Sequence, residues 1–211
     1  MTNQPPYNFS FTAASLRPDL VGIVAEHFSH AQSWEKSKSM LLSTNALQAN
    51  SSASAIRMER EFRHRLQKLT ASQLDLIAPS TADVRSAIAW LAAVKQSAFL
   101  FEFSAEVLRA KWETHDTILR ASDYERFIEE KISHHPEVSR LSETSANKVR
   151  RVLLLMLREA GLLVEGSDHG TIQRPILSST VEKAIRADDP RWLAAFLFSD
   201  AEIGKTNPRR T

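Results

Sequence analysis

The sequence predicts an all-α protein: a multi-helix bundle followed by a second helical lobe that carries a short β-hairpin in winged-helix-like order. Three observations carry this. Apolar residues recur at the three- and four-residue spacing of helices through most of the chain between residues 18 and 160. Helix starts are marked by the capping-box patterns SDYE (Ser122–Glu125) and STVE (Ser179–Glu182), in which hydroxyl and carboxylate satisfy each other's exposed backbone donors. Three of the five glycines, Gly161, Gly166 and Gly170, fall within ten positions, where Leu162–Val164 and Thr171–Gln173 flank GSDHG as a hairpin would.

Tyr7, Phe9 and Phe11 stand at a period of two, the pattern of an extended arm, residues 1–11, whose aromatics dock on the body. Pro18 suits a first helical turn, and Leu20, Val21, Val24 and Phe28 carry that helix to about Ala31. Ser33 caps a second helix through Ser43, and residues 53–69 form a third with Ala55, Met58, Phe62, Leu66 and Leu69 on one face. A short helix opens at Ser72 and stops at Pro79. Thr81 caps another, whose apolar face (Ala87, Ile88, Leu91, Val94) runs to Phe99, and Phe101–Trp112 follows. The polar stretch 115–121 then separates a bundle, residues 12–118, from a lobe, residues 119–203. Within the lobe SDYE opens one helix, Pro136 begins a short helical turn, and Ser142 or Thr144 opens a helix through Val149, Val152, Leu153, Met156 and Leu157 that Gly161 stops. The hairpin near 162–173 comes next, so the order is helix, helix, helix, hairpin. STVE opens a further helix, Asp189 caps and Pro190 starts the last one (Trp192–Phe198), and residues 204–211 are expected to be a frayed tail.

Composition excludes several classes of function. The 211 residues contain no cysteine, which removes disulfides, thiolate metal sites and a cysteine nucleophile, and fits a reducing cytoplasm. The N-terminal residues do not read as a signal peptide, and apolar runs such as Val152–Leu157 are cut short by charges such as Arg158 and Glu159, so no membrane span is expected. No Walker A loop, GxGxxG, GxSxG or HExxH pattern is present. Glu129-Glu130-Lys131 has the Glu-x-Lys spacing of metal-dependent nucleases, but on a helix instead of a strand. The pairs His27 with His30 and His134 with His135 indicate no third ligand. The expectation is a protein that is not an enzyme, with no cofactor, no metal, no catalytic residue and no small-molecule substrate.

Charge is distributed unevenly. The formal net charge is only +2, yet residues 57–68 hold five Lys and Arg against two Glu, and residues 148–158 hold Lys148, Arg150, Arg151 and Arg158 with no acid. From Glu102 to Glu143 the chain is acidic, with ten Asp and Glu against six Lys and Arg. At 100° per residue, Arg57, Arg60, His64 and Lys68 lie opposite Met58, Phe62 and Leu66, a cationic ridge about three turns long that suits phosphates spaced along a nucleic-acid backbone. The other reading is a solvated face whose arginines pair with Glu59, Glu61 or the acidic middle. On the helix ending at Ala160, Asn147, Arg151 and Arg158 form a narrow polar stripe, with Lys148 and Arg150 beside it. That is either a recognition helix or a core helix with a basic edge. His169 and Arg174 would flank the hairpin on the same surface.

Three stretches, YNFSFTAASL, KVRRVLLLMLREAGLL with its hairpin, and PILSSTVEKAIRADDPRWLAAFLFSD, resemble the BrxA family of the bacteriophage exclusion (BREX) defence systems, and the likeness runs from Tyr7 to about Ile203. The resemblance implies an all-helical cytoplasmic protein similar in part to the antitermination factor NusB. It also implies double-stranded DNA binding and work beside other BREX subunits, a separate DNA methyltransferase among them, in marking host DNA and restricting phage. It carries no catalytic residue over. Together these readings favour a sequence-tolerant duplex-DNA-binding module. The alternative is a protein-interaction adaptor that assembles defence subunits without touching DNA.

Overall fold

A computed structural model describes residues 5–78 and 80–204. Helix α5 (Ala82–Gln96) is its axis, because the eight consecutive residues Ala87–Val94 are all buried, and a helix apolar around its whole circumference must be enclosed on every side. Around it pack α1 (Pro18–Ala31), α3 (Ser52–Leu66), α11 (Ser179–Asp188) and the 3-10 segment Pro190–Phe196. Trp90 is wholly buried and donates its indole N–H to Ala195 O at 3.0 Å, which pins the last part of the chain to the middle of the molecule. Helix α2 (Trp34–Ser43) lies against α1 and α3, with Ser33 Oγ accepting from the Lys36 N–H as the sequence predicts.

Several boundaries differ from expectation, each for a local reason. Helix α3 is capped by Ser51 and ends at Leu66, with Lys68 and Leu69 in a following turn. The short helix α4 (Ala71–Asp75) starts at Thr70, not Ser72. Thr70 Oγ accepts from Gln73 N–H at 3.3 Å while the buried Gln73 Oε1 accepts from Thr70 N–H at 3.1 Å, a reciprocal box that Ser72 cannot make. Pro79, expected to stop it, lies outside the described residues. Helix α5 stops at Gln96 instead of Phe99, because Ser97 is extended and turns its buried hydroxyl to Asn8 O. After Ser97 the chain runs on through α6 (Ala98–Glu102), a π-helical turn (Phe103–Leu108) and α7 (Arg109–Glu113).

In the C-terminal part SDYE is not the cap: α8 (Ala121–Ile132) begins with the Arg120 N–H donating to Asp123 Oδ2 at 2.9 Å. Asp123 is buried and faces Lys111 at 2.9 Å, and that burial sets the helix phase. STVE is shifted by one, since Ser178 Oγ accepts from Val181 N–H at 3.3 Å while Glu182 pairs with Arg186 at 2.8 Å. Helices α9 (Pro136–Ser139) and α10 (Glu143–Glu159) follow α8, and Ser142 is the cap of α10. The hairpin forms as expected from β2 (Leu163–Val164) and β3 (Gly170–Ile172), paired Leu163 to Ile172. Gly170 has φ 129°, and a Cβ there would collide with Val164 O. A third strand, β1 (Ile118–Leu119), was not expected. It pairs antiparallel with β3, so the sheet order is β1-β3-β2. The chain then runs through α11 and the 3-10 segment to α12 (Asp200–Ile203). Residues 205–211 of the expected tail lie outside the described residues.

The N-terminal aromatics dock: Tyr7 and Phe11 are buried, and Phe99 meets the rings of Tyr7, Phe9 and Phe11. The Tyr7 ring stacks on buried His135 at 3.6 Å between centroids, its hydroxyl donates to Glu102 and its N–H to Glu137. The expected extended arm does not hold to its end, since Phe9 has ψ 20° and Ser10–Ala13 closes into a 3-10 turn; residues 1–4 of the arm lie outside the described residues. Among the described residues no helix is long and apolar enough to cross a membrane.

Candidate nucleic-acid interface

Helix α3 sorts its charges by direction. Glu59 and Glu61 both turn inward and are buried, and each takes the arginine four residues on: Arg63 Nε lies 2.7 Å from Glu59 and Arg65 Nε 3.0 Å from Glu61. Those two pairs consume both carboxylates of the segment. Arg57, Arg60, His64 and Lys68 are left exposed on the solvent side, and among the described residues none of them makes an ion pair. Among the described residues Arg57 reaches only Ser54 Oγ, at 3.4 Å. The ridge read from the sequence is therefore present, and its proposed partners Glu59 and Glu61 do not neutralise it.

Arg65 and Glu159 join this helix to α10 through the segment between the arm and α1. Arg65, fully buried, donates from Nη1 to Ser15 O at 2.8 Å and from Nη2 to Ala14 O at 2.7 Å and Phe11 O at 3.4 Å. From the other side Glu159 accepts from Ser15 Oγ at 2.9 Å, Leu16 N–H at 2.6 Å and Arg17 N–H at 3.4 Å. A cation thus holds the carbonyls of the segment and an anion holds its amides, so a stretch with no regular structure has its backbone groups satisfied.

On α10, Asn147, Lys148, Arg151 and Arg158 are exposed, and Arg150 is half-buried with Nη2 3.4 Å from Asn147 Oδ1. Lys148 and Arg151 have no ion pair among the described residues, and neither Arg151 nor Arg158 pairs with an acid of α8. Arg158 instead donates to His169 O at 2.9 Å, which ties the hairpin loop to the helix and leaves its remaining donors free among the described residues. Two residues expected beside the hairpin are otherwise engaged. Arg174 Nη1 lies 2.8 and 3.1 Å from the two oxygens of Glu202, and its guanidinium covers the Phe198 ring at 3.8 Å. The Ser199 N–H above all, with that pair, holds the pKa of the Glu202 carboxyl down to about 2 against the effect of burial. His169 has a buried Nε2 without a partner among the described residues, and burial together with Arg150 and Arg158 pulls its pKa below the usual imidazole value. Neither side chain offers a free cation. The same face carries an apolar residue that sequence reasoning passed over, Leu155, 42% exposed between Arg151 and Arg158.

The other chemical candidates dissolve into structure. Lys131 of the Glu-x-Lys pattern pairs with Glu102 at 2.6 Å and Glu106 at 2.8 Å. His27 bonds Ile23 O at 2.9 Å, and His135 lies under Tyr7. Among the described residues no three His, Asp or Glu side chains are grouped to hold a metal ion.

Comparison with known proteins agrees with this architecture. The model of the BrxA family matches residues 5–189. A protein of Bacillus cereus (strain H3081.97) named BREX protein BrxA is 27% identical over 168 residues, 80% of this chain and 82% of that protein. One of the same name from Escherichia coli O9:H4 (strain HS) is 28% identical over 130 residues, 62% of this chain and 60% of that protein. Among solved structures, an uncharacterized protein from Magnetospirillum magneticum superposes with a TM-score of 0.76 over 92% of this chain and 98% of that one, at 18% identity, a likeness of fold alone.

Proposed function

The chain belongs to the BrxA family of the BREX phage-defence systems, and from that premise we propose that it is a non-enzymatic, cytoplasmic duplex-DNA-binding accessory protein. It grips the phosphate backbone and supports host DNA methylation and phage restriction by other BREX subunits. One observation carries the reading: the carboxylates of α3 are both buried against Arg63 and Arg65, so Arg57, Arg60, His64 and Lys68 form an uncompensated face. A polyanion is the partner such a face fits, and phosphate contacts at this spacing carry little sequence information. The winged-helix reading of the C-terminal lobe draws support from the sheet order β1-β3-β2 with α10 just before the hairpin. Similarity of the bundle to NusB rests on the family resemblance.

The test is a titration with duplex DNA at several salt concentrations. With about five phosphates neutralised by Arg57, Arg60, Lys68, Lys148 and Arg151, log K should fall against log salt with a slope of about −4 to −5. Affinity that does not change between low and physiological salt would move the assignment to the adaptor. That second reading has an observation of its own in the exposed Leu155 and Val164 (42% and 39%), apolar groups that a protein partner would cover. Arg151→Ala with Arg158→Ala should lower DNA affinity beyond the loss from the α3 ridge, roughly additively, and lower the thermal midpoint by no more than the one lost bond from Arg158 to His169 O, about 1 kcal/mol, because neither arginine makes an ion pair among the described residues. A double mutant that binds DNA undiminished would assign α10 to partner docking.

A further inference from the structure

We propose that Arg17 is a phosphate-contacting residue, presented to duplex DNA from a strained turn between α3 and α10. The inference rests on the DNA-binding reading above and adds to it a residue that no charge run or helical face marks in the sequence. Arg17 adopts φ 44°, ψ 61°, the left-handed region, directly before Pro18. Both features are unfavourable: a Cβ crowds that conformation, and a following proline drives its predecessor toward extended backbone. The helix it precedes does not need an arginine there, since Arg17 makes no side-chain cap and its guanidinium, on an exposed residue, makes no ion pair among the described residues. The conformation is imposed from outside, by Arg65 on the carbonyls of Ala14 and Ser15 and by Glu159 on the amides of Leu16 and Arg17. Strain held by two charged side chains from different helices and spent on an exposed cation points to function.

The position fits that role. Around α3, Glu61 and Arg65 mark the edge of the buried arc next to His64 and Lys68. Around α10, Glu159 marks the edge next to Leu155 and Lys148. The segment they clamp therefore lies in the seam between the two exposed basic faces, with Ala13 and Arg17 its exposed residues. The acid in the first turn of α1, Asp19, is taken by Arg85 at 2.8 Å and does not neutralise Arg17. One cation in that seam makes a continuous track for a phosphate backbone out of two separate patches.

The experiment titrates a duplex of about two helical turns with the wild-type chain, Arg17→Ala, Arg17→Gly, Arg17→Lys and Glu159→Ala, following thermal unfolding of each. Arg17→Ala should weaken binding several-fold and make the salt slope shallower by about one, as loss of one phosphate contact does. Arg17→Lys should recover most of it. Arg17→Gly should lose the same affinity with a thermal midpoint no lower than wild type, because glycine takes φ 44° without a Cβ clash. Glu159→Ala separates positioning from bulk charge: deleting a carboxylate beside a polyanion tightens binding by charge alone, whereas loss of the clamp on Arg17 weakens it, and weakening is expected. Should that variant fail to fold, the three Arg17 variants decide the question. Unchanged affinity and slope for Arg17→Ala, with the wild type still binding DNA, would overturn the inference and leave the DNA-binding reading standing. A wild-type chain that does not bind duplex DNA overturns both.

Discussion

Arg65→Met is expected to destabilise the folded chain by about 3–5 kcal/mol, as removal of one member of a buried ion pair does. Arg65 is fully buried and packs 5.6 Å from the Phe62 ring centroid. Burial lowers its pKa, while Glu61 and, more weakly, Glu159 oppose that shift and favour the charged form. Methionine fills much of the volume but leaves the Glu61 carboxylate, 3% exposed, without a cation, leaves the carbonyls of Ala14 and Ser15 without the donor Arg65 supplies, and leaves Phe11 O with the Ala14 N–H at 3.3 Å. The urea midpoint measures the loss. Adding Glu61→Leu should restore part of it, because the stranded charge is gone, but not all, because the carbonyls still lack a partner. A loss below about 1 kcal/mol for Arg65→Met would mean that the arm is held by its aromatics alone. Full recovery in the double mutant would mean that only the ion pair mattered and that the carbonyl bonds contribute nothing.

Arg65 also shows where the sequence stops being informative. Within residues 57–68 it looks like its neighbours, and a charge run invites one label for the whole stretch. Helical phase separates Arg57, Arg60, His64 and Lys68 from the apolar face, and this much was legible because it needs only the 100° step. That the arc of α3 running through Glu61 and Arg65 is covered by the chain near Ser15 depends on a contact 50 residues distant and leaves no local signal. The pairing of Arg174 was hidden for the same reason, since its partner Glu202 stands 28 residues further on. The bundle helices were legible from their apolar period, and the hairpin from its glycines. Strand β1 was not, because two residues carry no alternation to read and its pairing with β3 is tertiary. Caps were found to within one or two residues: the three-residue spacing recurs in a Ser- and Thr-rich sequence, and burial of Asp123, Val181 or Gln73 selects among the candidates.

Replacing Arg57, Arg60 and Lys68 together by Ala should lower duplex-DNA affinity by about two orders of magnitude at 0.1 M salt and make the salt slope shallower by nearly three, the share of three released counterions. The fold should be untouched. All three side chains are exposed, none makes an ion pair among the described residues, and alanine is the better helix former at the two positions inside α3. Helical content and thermal midpoint should accordingly hold, which makes the affinity loss readable as lost contact. The buried pairs on the same helix supply the control. Arg63→Gln also removes positive charge, one unit against three, but it is drawn from the Glu59 pair at 2.7 Å and not from the exposed face, so it should perturb stability while the salt slope stays near wild type. If charge anywhere on α3 were what mattered, Arg63→Gln would shift the slope as much as one third of the triple mutant. If the ridge is where the phosphates lie, it does not, and unchanged binding by the triple mutant would reduce the ridge to a solvated surface.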